Sequence, residues 1–575
     1  MANTALPSDF HTVKDYAFDT GAYGMKITTS HPDAQVWFNR GLVWTYAFTH
    51  AEATLCFQRA IKLDESCAMA HWGLALALGP NYNQPWEALR KDLPDIVRRT
   101  YEASRRALAL TTDRSPVEKA LITALQSRYQ SDEPAPIEQY HKQNQAYCDA
   151  MGAVYQRFGD DMDVATLYAD ALMILTPWKL WNLVTGKPNP GTRTLEAKAV
   201  LEKALAHDAA KRHPGLLHHY IHLMEMSPTP ELALIQADHL RTLVPDSGHL
   251  CHMPSHLDFL VGDYRAAISS NTQATIADEK FMHHRGTKGF YTLYRMHDYH
   301  TLIYAAMFAG RKGIAMDTVN RMESTLPLEM LKAMPDYCEV FLSVRSHVMV
   351  RFGMWTEIID YPLPEDPELF CVTTALAHYA KGVAYAATGD VPNAMKQKEL
   401  YEEAAKRIPD SRLDFPNKCI DIVGIASAML DGEIEYRRRN YAEAFDHLRR
   451  AVQLDDELGY SEPWSWMQPA RHAYAALLLE QNHVEESAAV YRADLGLDES
   501  VIRARRHPNN VWALQGYHEC LVRLGRDAEA NIIRPQLTVA LALADVPIQS
   551  SCFCRTDNEQ AADAEKSCSN NKCKM

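Results

Sequence analysis

Small residues and aromatics recur along this 575-residue chain in a register that paired helices use. Ala53, Phe57 and Ala60 stand four and three positions apart, and Gly41 precedes Ala53 by twelve. On helices such spacing puts side chains on one face, where small residues let two rods approach and the aromatic fills the gap between them. The same positions return as Gly382, Tyr385, Gly389 and Ala394, then as Gly432, Ala444, Leu448 and Ala451. Trp512 and Gly516, ahead of Gly525, begin a last copy. Residues 262–267 and 310–315 each open on Gly and end on Ala, the pattern of a turn followed by a helix start. No segment alternates as a strand does.

A two-helix unit of about 34 residues with these packing positions is the tetratricopeptide (TPR) pattern. One such unit cannot bury its own apolar face, so units must stack. The expected fold is therefore all-α: a TPR-like α-solenoid, a superhelix of antiparallel helix pairs. We divide the chain into an N-terminal extension (1–30), an N-terminal TPR-like domain (31–345), C-terminal TPR-like repeats (346–545) and a polar tail (546–575) expected to be disordered. Two loops interrupt the rhythm. Residues 79–92 and 176–193 are rich in Trp, Asn and Pro, as in loops that fold back over a scaffold or a pocket.

Composition excludes several partners. A hydrophobic fraction of 47% is ample for a large core, and the net charge of −14 argues against nucleic acid and against an anionic membrane surface. The first residues carry neither a basic flank nor an apolar run, and no uninterrupted apolar stretch reaches membrane-spanning length, so the expected location is cytoplasmic. Of 12 cysteines, Cys552, Cys554, Cys568 and Cys573 fall in the tail, where thiols suit a soft metal or serve no purpose. The remainder are isolated, as reduced core residues are.

Chemistry concentrates in the middle of the chain. His218, His222 and Glu225 share one stripe of a helix expected to begin at Pro214. His249 is expected in a loop, His252 just before a helix led by Pro254, and His256 in that helix's first turns. His297 and His300 share a face of a later apolar helix. Imidazoles at helical spacing are a standard way to present nitrogen to a metal, and a cation satisfies several buried rings at once. The expected ligands are thus His218, His222, Glu225, His249, His252, His256, His297 and His300. They would hold one or two ions of a divalent transition metal: copper, iron or zinc, with copper preferred. Glu225 is a ligand or the general base, the only catalytic candidate; Asp298 belongs around the ligands.

The stretch His213-Pro-Gly-x-x-His-x-Tyr-Ile-His222-x-x-Glu225, with Gly248-His-Leu-x-His-Met-Pro-Ser-His256, resembles a family of TPR proteins with histidine-rich motifs. Gly41 to Asn83 is similar to that family's opening, and the likeness runs from about residue 30 to 540. It implies a helical-repeat fold and the histidine motifs, but no reaction. Two departures stand out. The family's His-Asn-x-His is His297-Asp-Tyr-His300 here, and His71 replaces an aromatic. His50 and His71 are secondary pocket candidates.

Two functions remain open. One is a metal-dependent enzyme of small-molecule, including secondary, metabolism. It would be an oxidoreductase or, with zinc, a hydrolase, with Trp178, Trp181 and Tyr82 covering the substrate. The other is a TPR scaffold that binds partner proteins or peptides, with the histidines structural. No Gly-x-Ser-x-Gly or phosphate-binding glycine loop is present.

Overall fold

The computed structural model describes residues 6–89, 92–287 and 289–555. The chain is an all-α array of TPR-like helix hairpins, and the one sheet among these residues is a two-residue ladder, Leu413–Asp414 with Asn417–Lys418. It divides into two compact units: residues 1–257 with 270–286, and residues 258–269 with 287–575. The division falls earlier than the boundary near 345 taken from the repeat count.

The hairpins share one turn. Each first helix is followed by a capping residue, then a residue in left-handed conformation, then the N-cap of the next helix. Gly310, Gly389 and Gly525 hold the left-handed place with φ of 67°, 87° and 67°. There the absence of a Cβ removes the steric cost. Arg439 and Asn482 hold it in two other hairpins, and Phe48 holds it between Pro32–Tyr46 and His50–Leu63 with φ 54°. In each turn an amide beyond the left-handed residue reaches back to the last helical turn, as Arg311 N does to Ala306 O and Asp390 N to Tyr385 O. These bonds satisfy carbonyls that the helix end leaves open.

Helix approach explains the small residues. A Cβ at Gly41 would lie 2.7 Å from the Phe57 ring, and one at Gly73 would lie 2.3 Å from it. Phe57 is fully buried between those two backbones. Gly73→Ala should therefore cost about 1–3 kcal/mol through overpacking. A thermal melt checks this, and an unchanged midpoint would contradict it.

In the first unit the N-terminal segment is part of the core: Phe10 stacks on Trp37 at 4.8 Å, and Arg285 pairs with Asp9 and Glu52. In the second, the hairpins Cys371–Ala387/Val391–Ala405, Cys419–Arg437/Tyr441–Glu457, Ala470–Glu480/Val484–Asp494 and Val511–Arg523/Asp527–Leu543 follow one another. Residues 546–555 are ordered, which corrects the expectation of disorder from 546. Their polar composition conceals anchors: Ile548, Ser551 and Cys554 are buried. Arg351 donates to Ser551 O, the Ser551 hydroxyl donates to His472 O, and Arg555 pairs with Glu519. Cys568 and Cys573 lie outside the described residues.

Candidate metal centre

The helix Pro214–Met224 is started by His213, whose Nδ1 accepts from Leu216 N at 3.1 Å. Its Nε2 sits 3.4 Å from Asp163, and that carboxylate also accepts from the Tyr46 and Tyr23 phenols. Every residue of this helix is buried. His249 and His252 lie on a short helix of their own, Gly248–His252, rather than in a loop. Ser247 caps it, and Pro254 begins the next helix, Pro254–Val261. Gly248 makes room there: a Cβ would stand 2.0 Å from the Asp278 carboxylate, which would have to move.

The fold of the first unit brings His218, His222, Glu225, His249, His252 and His256 together, all at least nine-tenths buried. Each ring has two nitrogens, and their partners separate the roles. His218 Nδ1 lies 2.6 Å from Tyr46 O, and His252 Nδ1 lies 2.7 Å from Asn271 Oδ1. His222 Nδ1 is 3.1 Å from Glu225 Oε1, and His256 Nδ1 is 2.6 Å from Glu225 Oε2. A carbonyl or carboxylate oxygen can only accept, so these Nδ1 atoms carry the protons and Nε2 is left as the electron-pair donor. Metal-ligating histidines are oriented in this way. On the inner side, His218 Nε2 and His249 Nε2 are 3.1 Å apart, and His252 Nε2 and His256 Nε2 are 2.7 Å apart.

Two sets within this unit have ligand atoms inside 4.8 Å of one another: His218, His222 and His249, and His222, Glu225 and His256. Burial, reinforced by the neighbouring rings, holds His218 and His249 well below the usual imidazole range. These rings are therefore neutral at pH 7, the state in which imidazole ligates a metal. Burial pushes the Glu225 carboxyl up, and the His256 ring opposes that.

Aromatic rings close the site around His222. Tyr82 lies 5.2 Å from its ring and Trp178 lies 6.2 Å. Trp178 N donates to the Tyr82 hydroxyl, and Trp181 Nε1 donates to Leu223 O, so both long loops fold over this helix. Phe48, which composition and spacing did not single out, packs against several of these rings. It is 4.5 Å from His218, 5.6 Å from His219, 5.7 Å from His222 and 5.9 Å from His249. The available signal was an aromatic at the left-handed turn position that Gly occupies in other hairpins. Trp178 also has positive φ, 62°. Such strain persists where surrounding structure enforces it, often at functional sites.

His297 and His300 lie in the second unit, on Tyr291–Phe308. His300 is buried with Nε2 2.7 Å from Met467 Sδ, and burial pushes its ring down to about 3. His297 is half-buried. His50 and His71 face carbonyls, Gly79 O and Glu65 O. His219 bridges Gly215 O and Asp170 next to a cavity of about 20 Å³, room for one water.

Glu225→Gln tests the anchoring. An amide offers one acceptor and one donor where two N–H groups now point, so one ring must turn or lose its partner. Metal affinity should fall by about 10- to 100-fold, as for other outer-shell partners. A competition titration measures it, and unaltered affinity would contradict the anchoring role.

Comparison with known proteins gives little beyond the helical class. No family model and no curated protein sequence matches the chain. Three solved structures are similar: Naa15/Naa10 bound to HypK-THB, yeast Tom70, and the APC/C hetero-tetramer Cut9–Hcn1. Identities are 14%, 13% and 11%, and TM-scores are 0.20, 0.25 and 0.24. The matches cover 88%, 88% and 85% of this chain, and 70%, 99% and 96% of theirs. Scores this low carry no argument about function.

Among the described residues, no helix is long and apolar enough to cross a membrane.

Proposed function

We propose that this protein is a metal-dependent enzyme acting on a small molecule, with its transition-metal centre inside the first helical unit. The proposal places it among the TPR proteins with histidine-rich motifs. One observation carries the reading. Four imidazoles, those of His218, His222, His252 and His256, are held from outside through Nδ1 so that Nε2 turns inward. A purely structural role needs no such shared orientation. Glu225 spends both oxygens on imidazole N–H groups, so it serves as a positioning residue rather than as a base.

Nitrogen donors without a free carboxylate suit copper or zinc better than non-haem iron, whose oxygenase sites pair two histidines with a carboxylate. Copper makes the enzyme an oxidoreductase; zinc makes it a hydrolase. Tyr82 and Trp178 beside His222 favour a substrate with an apolar or aromatic face.

Elemental analysis of untagged, full-length protein tests the proposal, with near-stoichiometric copper, zinc or iron expected. Protein that purifies without metal and takes up none tightly would overturn it.

A partner-binding scaffold is the second reading, favoured by the last hairpin. Val522, Ile532 and Val539 are exposed there, with Ile532 and Val539 two helical turns apart on one face. Protein partners that Ile532→Asp releases from metal-free chain would support it.

A further inference from the structure

We infer that the centre holds two metal ions. One is bound by His218, His222 and His249, the other by His252 and His256, with Glu225 anchoring one ring of each group. This deepens the metal reading above and rests on it.

Reach limits how many of these nitrogens one ion can join. An ion bonded at about 2.1 Å joins only donors that lie within about 4.2 Å of one another. The inward nitrogens fall into two close pairs, His218 with His249 at 3.1 Å and His252 with His256 at 2.7 Å. Among the described residues, neither His218 nor His249 shares a set within 4.8 Å with His252 or His256. The nearest rings across the gap, His222 to His256 and His249 to His252, have centroids 5.9 Å and 6.2 Å apart. One ion cannot serve both pairs.

Hydrogen bookkeeping then asks for a cation at the second pair as well. The Nδ1 atoms of His252 and His256 face oxygen acceptors, Asn271 Oδ1 and Glu225 Oε2. Neutral rings so arranged bring two nitrogen lone pairs face to face at 2.7 Å. That contact is repulsive until a positive charge stands on it.

Within the first unit the first position has nitrogens from His218, His222 and His249, and the second from His252 and His256. Glu225 couples the two, because His222 and His256 each lean on one of its oxygens.

The test is a count. Metal-free, full-length protein is titrated with Zn²⁺, and separately with Cu²⁺, against a chromophoric chelator that strips weak surface sites. Native mass spectrometry reads the stoichiometry. Wild type should bind two ions. The double variant His252→Ala/His256→Ala should bind one, and that retained ion shows that the variant folds. His218→Ala/His249→Ala should likewise retain one, with a weaker total affinity. Saturation of wild type at a single ion would overturn the two-ion inference and leave the metal centre standing. No binding at all would overturn both. A His252→Ala/His256→Ala variant that still binds two ions would also overturn the inference, because the second position would then lie elsewhere.

Discussion

Replacing His222 with Ala should strip the ion held with His218 and His249, with affinity at that position falling by more than about 100-fold. That exceeds the loss expected for an outer-shell partner, because a ligand itself is removed. His222 has several dependents in the centre. It contributes to both sets of candidate ligands, gives its Nδ1 proton to Glu225, and packs among Phe48, Tyr82 and Trp178. Removing it also withdraws one donor from a fully buried carboxylate, whose remaining imidazole partner is His256. Chelator competition and elemental analysis of the purified variant measure the effect, and circular dichroism shows whether the helices remain. A folded variant with wild-type metal content would contradict the placement of His222 at the centre.

In the second unit, Asp494→Ala should produce the largest loss of stability, about 3–5 kcal/mol. The Asp494 carboxylate is fully buried and accepts from His472 Nε2 at 2.9 Å, His507 Nδ1 at 2.9 Å and Asn510 Nδ2 at 3.0 Å. On the far side of His472, Arg351 donates to Nδ1 at 3.1 Å. A guanidinium can only donate, so His472 is neutral and passes its single N–H to Asp494. Alanine would leave the Arg351 charge buried without its counter-charge and several donors without an acceptor. Differential scanning calorimetry should show the transition of this unit lowered by roughly 10 °C. A shift equivalent to less than about 1 kcal/mol would contradict the account.

The same network sets an acid limit. Burial pushes the Asp494 carboxyl up, but the His472 and His507 rings and their N–H donors hold it well below the usual carboxylate range. Burial pushes His472 down to about 4. Both folded pKa values are depressed, so both groups stabilise the fold at neutral pH and lose that contribution as pH falls. The loss begins below the ordinary imidazole value of about 6.5, where the unfolded chain takes up a proton on His472 that the folded chain refuses. It continues below about 4, where folded His472 also takes up its proton and unfolded Asp494 binds one that the folded carboxylate refuses. Melts between pH 7 and pH 4 should show a falling midpoint, and Asp494→Asn should flatten the acid end of that curve.

Much of the fold was legible in the residues. Gly310, Gly389 and Gly525 mark real turns, and the small residues around Phe57 mark real helix crossings. The start of the His218 helix at Pro214 was legible for the same reason, since a fixed φ and a missing donor suit a first turn wherever they occur. Residues 546–555 were misread because Ser and Cys look polar in composition. Ser551 is nonetheless satisfied by Tyr491 and by the His472 carbonyl, groups distant in the chain. Phe48 was missed because its neighbours in sequence give no sign of the rings it meets.

By itself the sequence determined the helices, their turns and the histidine spacing, because backbone conformation and helix faces depend on residues a few positions apart. Tertiary structure alone decided which nitrogen of each ring turns inward. That choice belongs to partners far along the chain, such as the Tyr46 carbonyl 172 residues from His218 and the Glu225 oxygens 31 residues from His256. A proton sits where its acceptor is, and no local pattern specifies an acceptor brought in by folding.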